Sequence, residues 1–246
     1  MEKQVKSKKR VADHGEVFTA EREVNAMLDL VKHETERIES TFLEPACGNG
    51  NFLAEILRRK LAVVDQYKRF PSDWERYSVV AMMSIYGVDI LPDNVAECRE
   101  RLYGIWEKAY KKVCKKECRD ECREAVRYIL SRNILCGDAL SLKAADGKPI
   151  IFSEWSMVGK RSVKRRDFRL DVLMNEHDDP NAYDDNDRQS AMFGDDVSDT
   201  VNWMTDPLTG KPTPAPIAEY ELIDYWRVTE IGILLCLIRL DMRFSF

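Results

Sequence analysis

The sequence lacks several features that would place it in large classes of proteins. Its most apolar stretch, residues 231–240, is too short to cross a bilayer, which takes about 20 residues. No apolar segment follows the lysine-rich start, so the pattern of a secretory signal peptide is absent. The formal net charge of −5 argues against a uniformly cationic surface. Any contact with DNA would therefore need a local basic patch.

Histidine is scarce, with three residues, whereas cysteine occurs seven times. Seven thiols without a signal peptide indicate a reducing compartment, so we expect a cytoplasmic protein. Cys114, Cys118 and Cys122 recur every four residues, and Val126 and Ile129 continue that face. Since no histidine lies near them in sequence, we interpret them as a buried apolar stripe on one helix and predict no metal site.

The 246 residues are 44% hydrophobic and 33% charged, which suits one globular domain with a sizeable core and some peripheral material. We divide the chain into a basic tail over residues 1–12, a main domain over 13–158 and an extension over 159–246. The extension is basic at first, acidic over 178–199 and turn-rich over 207–216. We expect it to be irregular and partly flexible.

The most informative stretch is FLEPACGNGNFL at residues 42–53. Its apolar start predicts a short strand that ends at Glu44, and a helical pattern begins at Asn51 and runs to residue 64. Gly48 and Gly50 permit a tight loop between them, and Asn49 or Asn51 is a suitable helix cap. The loop amides and the helix N-terminus would face a ligand above the strand. The spacing matches neither G-x-G-x-x-G nor a phosphate loop.

A helical pattern precedes this stretch. It predicts an amphipathic helix that begins just after Thr19, which is a good N-cap. The apolar positions are Val24, Met27, Leu28 and Val31.

Two further apolar runs each end in a carboxylate. Residues 84–90 predict a strand that ends at Asp89, and residues 133–140 predict one that ends at Asp138. Pro92 is tolerated in the first turn of a helix, so a helix should follow the first of these strands. We also predict a helix over 74–83 and a long helical region over 94–132 that Gly104 interrupts.

Four strings in this order resemble the motifs of S-adenosylmethionine-dependent DNA adenine-N6 methyltransferases. EPACGNGNFL resembles their first motif, YGVD their second and GDAL their third. GEVFTA resembles their N-terminal motif, although Ala20 stands where the family has proline. This order is that of the gamma group of amino-methyltransferases. The resemblance covers residues 13–155 and implies a class I methyltransferase fold, which is Rossmann-like α/β with a mostly parallel sheet flanked by helices.

The resemblance implies that S-adenosyl-L-methionine lies across the carboxyl ends of the first strands. Asp89 would then meet the ribose and Asp138 the adenine, whose ring Leu140 would flank. Ile90 and Ala139 would also contact the cofactor. The methionine side would be lined by Glu44, Gly48, Gly50 and Phe52. Phe18 and Thr19 would pack on the cofactor at its amino-acid end, and Pro45, Ala46 and Cys47 would also contact the cofactor.

The same family carries a catalytic Asp/Asn-Pro-Pro-Tyr/Phe element, and this sequence has no Pro-Pro pair. In the family, that element accepts both N–H bonds of the adenine amine and stacks an aromatic ring on the flipped base. Ser153, Glu154 and Trp155 lie in a predicted fourth strand over 148–155 and are the candidates in its place. Residues 179–183, DPNAY, are only weakly similar to the motif.

These observations leave three functions open. The chain is an adenine-specific DNA methyltransferase of a restriction-modification system, or the cofactor-binding subunit of one, whose partner chain carries the catalytic and target-recognition elements. Alternatively, it is an inactive regulatory module that binds the cofactor or DNA. The third possibility is a methyltransferase that acts on another substrate. Candidate DNA contacts are the basic residues Lys160, Arg161, Lys164, Arg165 and Arg166, and a solvated basic loop is equally compatible with them.

Overall fold

A mostly parallel sheet organises the chain. The computed structural model describes residues 6–14, 16–174, 203–205 and 212–231. Strands β1 (Phe42–Glu44), β2 (Ile85–Asp89) and β3 (Ile134–Asp138) are parallel and adjacent in that order. The short β4 (Lys143–Ala144) pairs with β3 in the antiparallel direction. The fold is therefore mixed α/β and compatible with a Rossmann-like arrangement.

Helices connect the parallel strands, as their spacing along the chain requires. Helices α4 and α5 lie between β1 and β2, and α6 and α7 lie between β2 and β3. In the described part of the chain, the helices are α1 (Lys8–His14), α2 (Glu21–Leu30), α3 (Lys32–Thr35), α4 (Asn51–Val64), α5 (Pro71–Met83), α6 (Pro92–Cys114), α7 (Asp120–Asn133) and α8 (Leu170–Met174).

Every residue of β2 is buried, because two apolar clusters cover the two faces of the sheet. The larger cluster joins Ile85 and Ile134 to the buried faces of α4, α5, α6 and α7. The smaller one joins Tyr86 and Val88 to Phe152 and other residues that follow β4. A central strand that is covered on both faces reads as a continuous apolar run, which is why β2 could be predicted.

A second sheet follows β4. Strands β5 (Ile151–Val158) and β6 (Ser162–Arg169) form an antiparallel hairpin. The short strands β9 (Ala218–Glu219) and β10 (Ile223–Asp224) pair with β6, and β7 (Trp203–Thr205) pairs with β8 (Pro212–Pro214). The predicted fourth strand therefore exists as β5, but it belongs to this hairpin and not to the parallel sheet.

Three local predictions need correction. The helical region over 94–132 breaks at Lys115, whose φ of +49° ends α6, and not at Gly104. Cys114 therefore ends one helix and Cys122 lies in the next, so the two do not share a stripe on one helix. The third cysteine, Cys118, lies in the turn between them. Helix α5 begins at Pro71, because the carbonyl of Phe70 accepts the first two helical hydrogen bonds.

The predicted helix caps are also wrong. Ala20 occupies the N-cap position of α2, so Thr19 lies one residue too early. Gly50 occupies the N-cap position of α4 in a left-handed conformation, and no side chain caps that helix. The Asn51 amide instead donates to the carbonyl of Thr19 at 2.9 Å.

The part of the extension that the structure describes packs on the main domain. A 3₁₀ helix, Tyr225–Glu230, lies against α7, and its residues Tyr225 and Val228 are buried. Three stretches that the sequence analysis singled out lie outside the described residues. They are the acidic segment over 178–199, the weak motif match at 179–183 and residues 232–240 of the apolar run. Among the described helices, none combines the length and the apolarity that a membrane span requires.

Lys60 is fully buried, and its ammonium lies at the edge of the sheet where β1 and β2 begin. Its Nζ donates to the carbonyls of Arg37 and Ile38, at 3.2 and 2.9 Å, and to the Ser84 hydroxyl at 2.8 Å. A third carbonyl, that of Ser40, accepts from it as well. These acceptors precede β1 and β2, so Lys60 joins the starts of two parallel strands. Burial lowers the pKa of its ammonium to about 7.

We expect the free energy of unfolding to rise with pH between about 7 and 10 because of Lys60. Its folded-state pKa of about 7 lies below the ordinary value of 10.5, so the unfolded chain binds more protons in this window. Lys60→Met should flatten this rise and cost about 1–3 kcal/mol for the carbonyls left without a donor. Urea unfolding at several pH values measures both effects. Lys112→Met, at an exposed position, is the control, and equal pH slopes in Lys60→Met and the wild type would contradict the assignment.

Candidate functional site

Three carboxylates mark the carboxyl edge of the parallel sheet. Glu44 ends β1, Asp89 ends β2 and Asp138 ends β3. The register pairs Glu44 with Gly87 and Asp89 with Cys136. Across the sheet, Glu44 therefore lies two positions before the level of Asp89, and Asp138 lies two positions beyond it. This edge of a parallel sheet is where ligands bind in open α/β folds.

The loop after β1 is built on two left-handed glycines. Gly48 has φ +52° and Gly50 has φ +86°. The loop is tied down because the Cys47 amide donates to the carbonyl of Val88 at 2.9 Å. A Cβ on Gly50 would lie 2.7 Å from the sulfur of Cys98, so glycine is required there for steric as well as conformational reasons.

The Asp89 carboxylate joins the glycine loop to α6. Its Oδ2 accepts the Gly48 amide at 2.9 Å. Its Oδ1 accepts the Leu91 amide at 2.9 Å and the Asn94 side-chain amide at 3.1 Å. Asp89 is only 9% exposed, so these contacts hold the carboxylate in one orientation at the end of β2.

The N-terminal motif lies directly on the glycine loop. Phe18 is half-buried, and a Cβ on Gly48 would lie 3.1 Å from its ring. Thr19 is joined to the start of α4 through its carbonyl, which accepts the Asn51 amide. The structure therefore brings together two segments that the sequence separates by about 30 residues.

The other predicted cofactor contacts in this part of the chain differ in exposure. Glu44 is half-buried, and desolvation raises the pKa of its carboxyl group. Pro45 and Ala46 are exposed, and Phe52 is half-buried in the first turn of α4. Cys47 is buried, and its hydrogen bond with Cys98 and its burial raise the pKa of its thiol, which disfavours the reactive thiolate.

Two large apolar side chains stand exposed next to the strand-end carboxylates. Ile90 is 57% exposed and Leu140 is 96% exposed. Asp138 ends the same strand that Leu140 follows, and its Oδ1 accepts the Leu140 amide at 2.9 Å, which lowers the pKa of its carboxyl group. Ala139 is half-buried in the same turn. Exposed apolar surface beside fixed polar groups is typical of a ligand site.

Two of the catalytic candidates are bound into the protein. Ser153 is fully buried, and its hydroxyl donates to Asp167 at 2.7 Å. The indole N–H of Trp155 donates to the Asn133 side chain at 2.9 Å. β5 forms a hairpin and does not extend the parallel sheet, and the polar groups of both side chains already have partners within the protein.

The basic segment is a strand whose charges are paired. Lys160 is exposed at the hairpin turn, whereas Arg165, another predicted DNA contact, is only 4% exposed, so its guanidinium is covered in this conformation. Glu154, the remaining catalytic candidate, pairs with one of these cations. The ion pairs are Arg161–Asp224 at 3.2 Å, and Lys164–Glu219, Arg165–Asp167 and Arg166–Glu154, each at 2.6 Å.

Sequence reasoning missed two polar residues beside Asp89. Glu16 and Asn94 are both buried, and the Asn94 amide donates to Glu16 at 2.7 Å. In the sequence, their only link to the site was proximity. Glu16 lies two residues before Phe18, and Asn94 lies five residues after Asp89.

Within the described residues, no group of three or more His, Cys, Asp or Glu side chains is arranged to hold a metal ion. Comparisons with protein-family models, with curated proteins and with solved structures found no match.

Proposed function

We propose that the chain binds S-adenosyl-L-methionine at the carboxyl edge of β1, β2 and β3. We further propose a class I methyltransferase fold and a role as the cofactor-binding component of an adenine-N6 DNA methyltransferase in a restriction-modification-like system. The carrying observation is the Asp89 carboxylate, which the Gly48 amide fixes at the end of β2 beside the glycine loop. The order of the four sequence motifs supports the same assignment.

The residues at this edge have the chemistry that the cofactor needs. Oδ2 of Asp89 accepts one backbone amide, which leaves a lone pair for a ribose hydroxyl. Ile90 and Leu140 offer apolar contact to a flat adenine ring, and Asp138 can accept from its amine. The Glu44 carboxyl group would accept the methionine ammonium. When bound, the cofactor supplies a methyl group on a positively charged sulfur.

The catalytic and target-recognition elements are assigned to a partner chain. Ser153 and Trp155, which occupy the place of the catalytic element in the sequence, are committed to structural contacts. Among the described residues, no strand pairs with the outer edge of β1, and Leu43 on that strand is 40% exposed. In doubly wound sheets the ligand crevice lies where the strand order reverses. The described order β1-β2-β3-β4 contains no reversal, so the proposed fold needs a further strand at the free edge of β1. A strand of the partner at this edge would complete the crevice.

A regulatory module that binds the cofactor or DNA without catalysis is the alternative. It is favoured by the same burial of Ser153. Transfer of labelled methyl groups to unmethylated DNA separates the two. An enzyme component transfers methyl groups once its partner is added, whereas a regulatory module does not.

Calorimetry with S-adenosyl-L-methionine tests the binding proposal. Asp89→Ala should weaken binding by about 1–3 kcal/mol, or roughly 5- to 150-fold, because a charged acceptor for the ribose is lost. The matched control is Asp146→Ala, which removes an exposed carboxylate from the turn that follows β4. Absence of binding by folded wild-type protein would refute the proposed function. Unchanged affinity in Asp89→Ala would remove this residue from the site.

A further inference from the structure

The lysine-rich N-terminal segment, residues 6–14, is docked on the candidate site and is not a free tail. Lys6 pairs with Asp93 at 3.3 Å and with Glu97 at 2.5 Å. The Arg10 guanidinium, on α1, also reaches Asp93, at 2.6 Å. Both carboxylates belong to the first turns of α6, which begins just after Asp89. The segment therefore lies beside the end of the candidate site where Asp89 is located.

Arg10 also fixes the start of the N-terminal motif. Its Nε and one terminal nitrogen donate to the two oxygens of Glu16, at 2.6 and 2.7 Å, in the bidentate geometry that favours Arg–carboxylate pairs. This contact closes the chain just before Phe18, the ring that packs on Gly48. Lys6 lies 5.9 Å from the centroid of the same ring. The docked segment thus holds Phe18 against the glycine loop.

Asn94 links the docked segment to Asp89. Its side chain is 1% exposed, and its amide nitrogen donates both to Asp89, at 3.1 Å, and to Glu16, at 2.7 Å. Its oxygen accepts from Lys6 at 2.8 Å and from Arg10 at 3.1 Å. One buried amide therefore contacts the site carboxylate, the N-terminal motif and both cations of the segment.

The burial of these groups decides which contacts matter. Lys6 and Arg10 are about a quarter exposed, and Asp93 and Glu97 about half, so their individual ion pairs contribute little. Glu16 has a side chain that is only 7% exposed, so its loss of partners would leave a buried carboxylate unpaired. The docked segment therefore matters chiefly because Lys6 and Arg10 supply hydrogen-bond donors to the buried side chains of Asn94 and Glu16.

We propose that Asn94 is a positioning residue that couples the docking of residues 6–14 to ligand binding at Asp89. This inference rests on the proposed function and deepens it. The docked segment orients Asp89 through Asn94 and holds Phe18 through Glu16, so a ligand that contacts both binds the docked form. Coupling between two equilibria is reciprocal. The ligand must therefore stabilise the docked segment by the same factor by which docking strengthens binding.

Trypsin reports on docking without any ligand, since Lys8 and Lys9 lie in the segment. Cleavage after these residues should be slow in the wild type and several-fold faster in Asn94→Ala. Arg10→Gln should release the segment in the same way, and Arg10→Lys, which keeps a cation opposite Glu16, should release it less. Asp13→Asn, at an exposed position of the same helix, is the matched control, because it leaves both cleavage sites in place. Equal cleavage rates in Asn94→Ala and the wild type would overturn the docking role.

Calorimetry with S-adenosyl-L-methionine then measures the coupling. We expect Asn94→Ala and Arg10→Gln each to bind at least about fivefold more weakly, with Arg10→Lys closer to the wild type. Saturating cofactor should slow cleavage in the wild type more than in Asn94→Ala. Faster cleavage with unchanged affinity would show a purely structural role and overturn the coupling alone. A folded wild-type chain that does not bind the cofactor would overturn the proposed function as well.

Discussion

Replacement of Glu75 by glutamine should lower the free energy of unfolding by about 3–5 kcal/mol, because it removes the charge from a buried hub. Glu75 is 3% exposed in α5. It accepts the hydroxyls of Tyr110 and Tyr225, the latter at 2.7 Å, and both the Nε and a terminal nitrogen of Arg119. A neutral amide would turn two donors toward groups that are themselves donors, and the guanidinium would lose its counter-charge.

Urea unfolding of three variants checks this expectation. Glu117→Gln makes the same chemical change on an exposed neighbour and should alter stability by no more than about 0.5 kcal/mol. Tyr225→Phe removes one hydroxyl from the hub and should cost about 1 kcal/mol. Since Tyr225 belongs to the extension, Glu75→Gln should also expose residues 212–231 to proteases. A loss below about 1 kcal/mol in Glu75→Gln would show that the hub is not a stabilising unit.

The parallel strands and the loop of the candidate site could be predicted because their signals are local. The apolar run of residues 85–88, with an acid directly after it, is the pattern of a central parallel strand. Gly48 and Gly50 have positive φ, and glycine is the residue that adopts this conformation at little cost. The ends of helix α4 were predicted correctly because its apolar positions repeat at helical spacing over 14 residues.

The cysteine stripe shows where periodicity fails. Cys114 and Cys122 are eight residues apart and both are buried, as the pattern indicates. However, the left-handed Lys115 lies between them, and a lysine gives no signal for this conformation. The same spacing thus arises from two helices that pack against each other across a turn. Burial was correctly inferred for these two cysteines, but Cys118 is only half-buried, and the three do not share one helix.

Charge counting fails in the basic segment for a different reason. The cations of β6 are consecutive in sequence, but their carboxylate partners come from the hairpin and from residues 50 or more positions away. Lys164, for example, pairs with Glu219. The polar residues beside Asp89 were missed for the same reason, because Glu16 reaches Asn94 across 78 residues. Long-range pairing of polar groups has no period in the sequence.

The second large effect should follow from Asp167→Asn, which we expect to lower the free energy of unfolding by about 3–5 kcal/mol. Asp167 and Arg165 are 6% and 4% exposed, and the carboxylate accepts two nitrogens of Arg165 at 2.8 and 2.6 Å. It also accepts the hydroxyls of Ser153, at 2.7 Å, and Tyr220, at 3.1 Å. The neutral amide would leave the Arg165 charge buried without compensation.

Chemical denaturation separates this structural role of the basic segment from a role in DNA contact. Asp146→Asn, at an exposed turn, is the matched control and should change stability by no more than about 0.5 kcal/mol. Lys160→Ala, at the exposed hairpin turn, should be equally neutral. If Asp167→Asn were also neutral, Arg165 would be free to leave Asp167 and would again be available to a phosphate. A large loss confined to Asp167→Asn means that the arginine at the centre of the basic segment serves the fold, which leaves Lys160 as its best-exposed candidate for DNA contact.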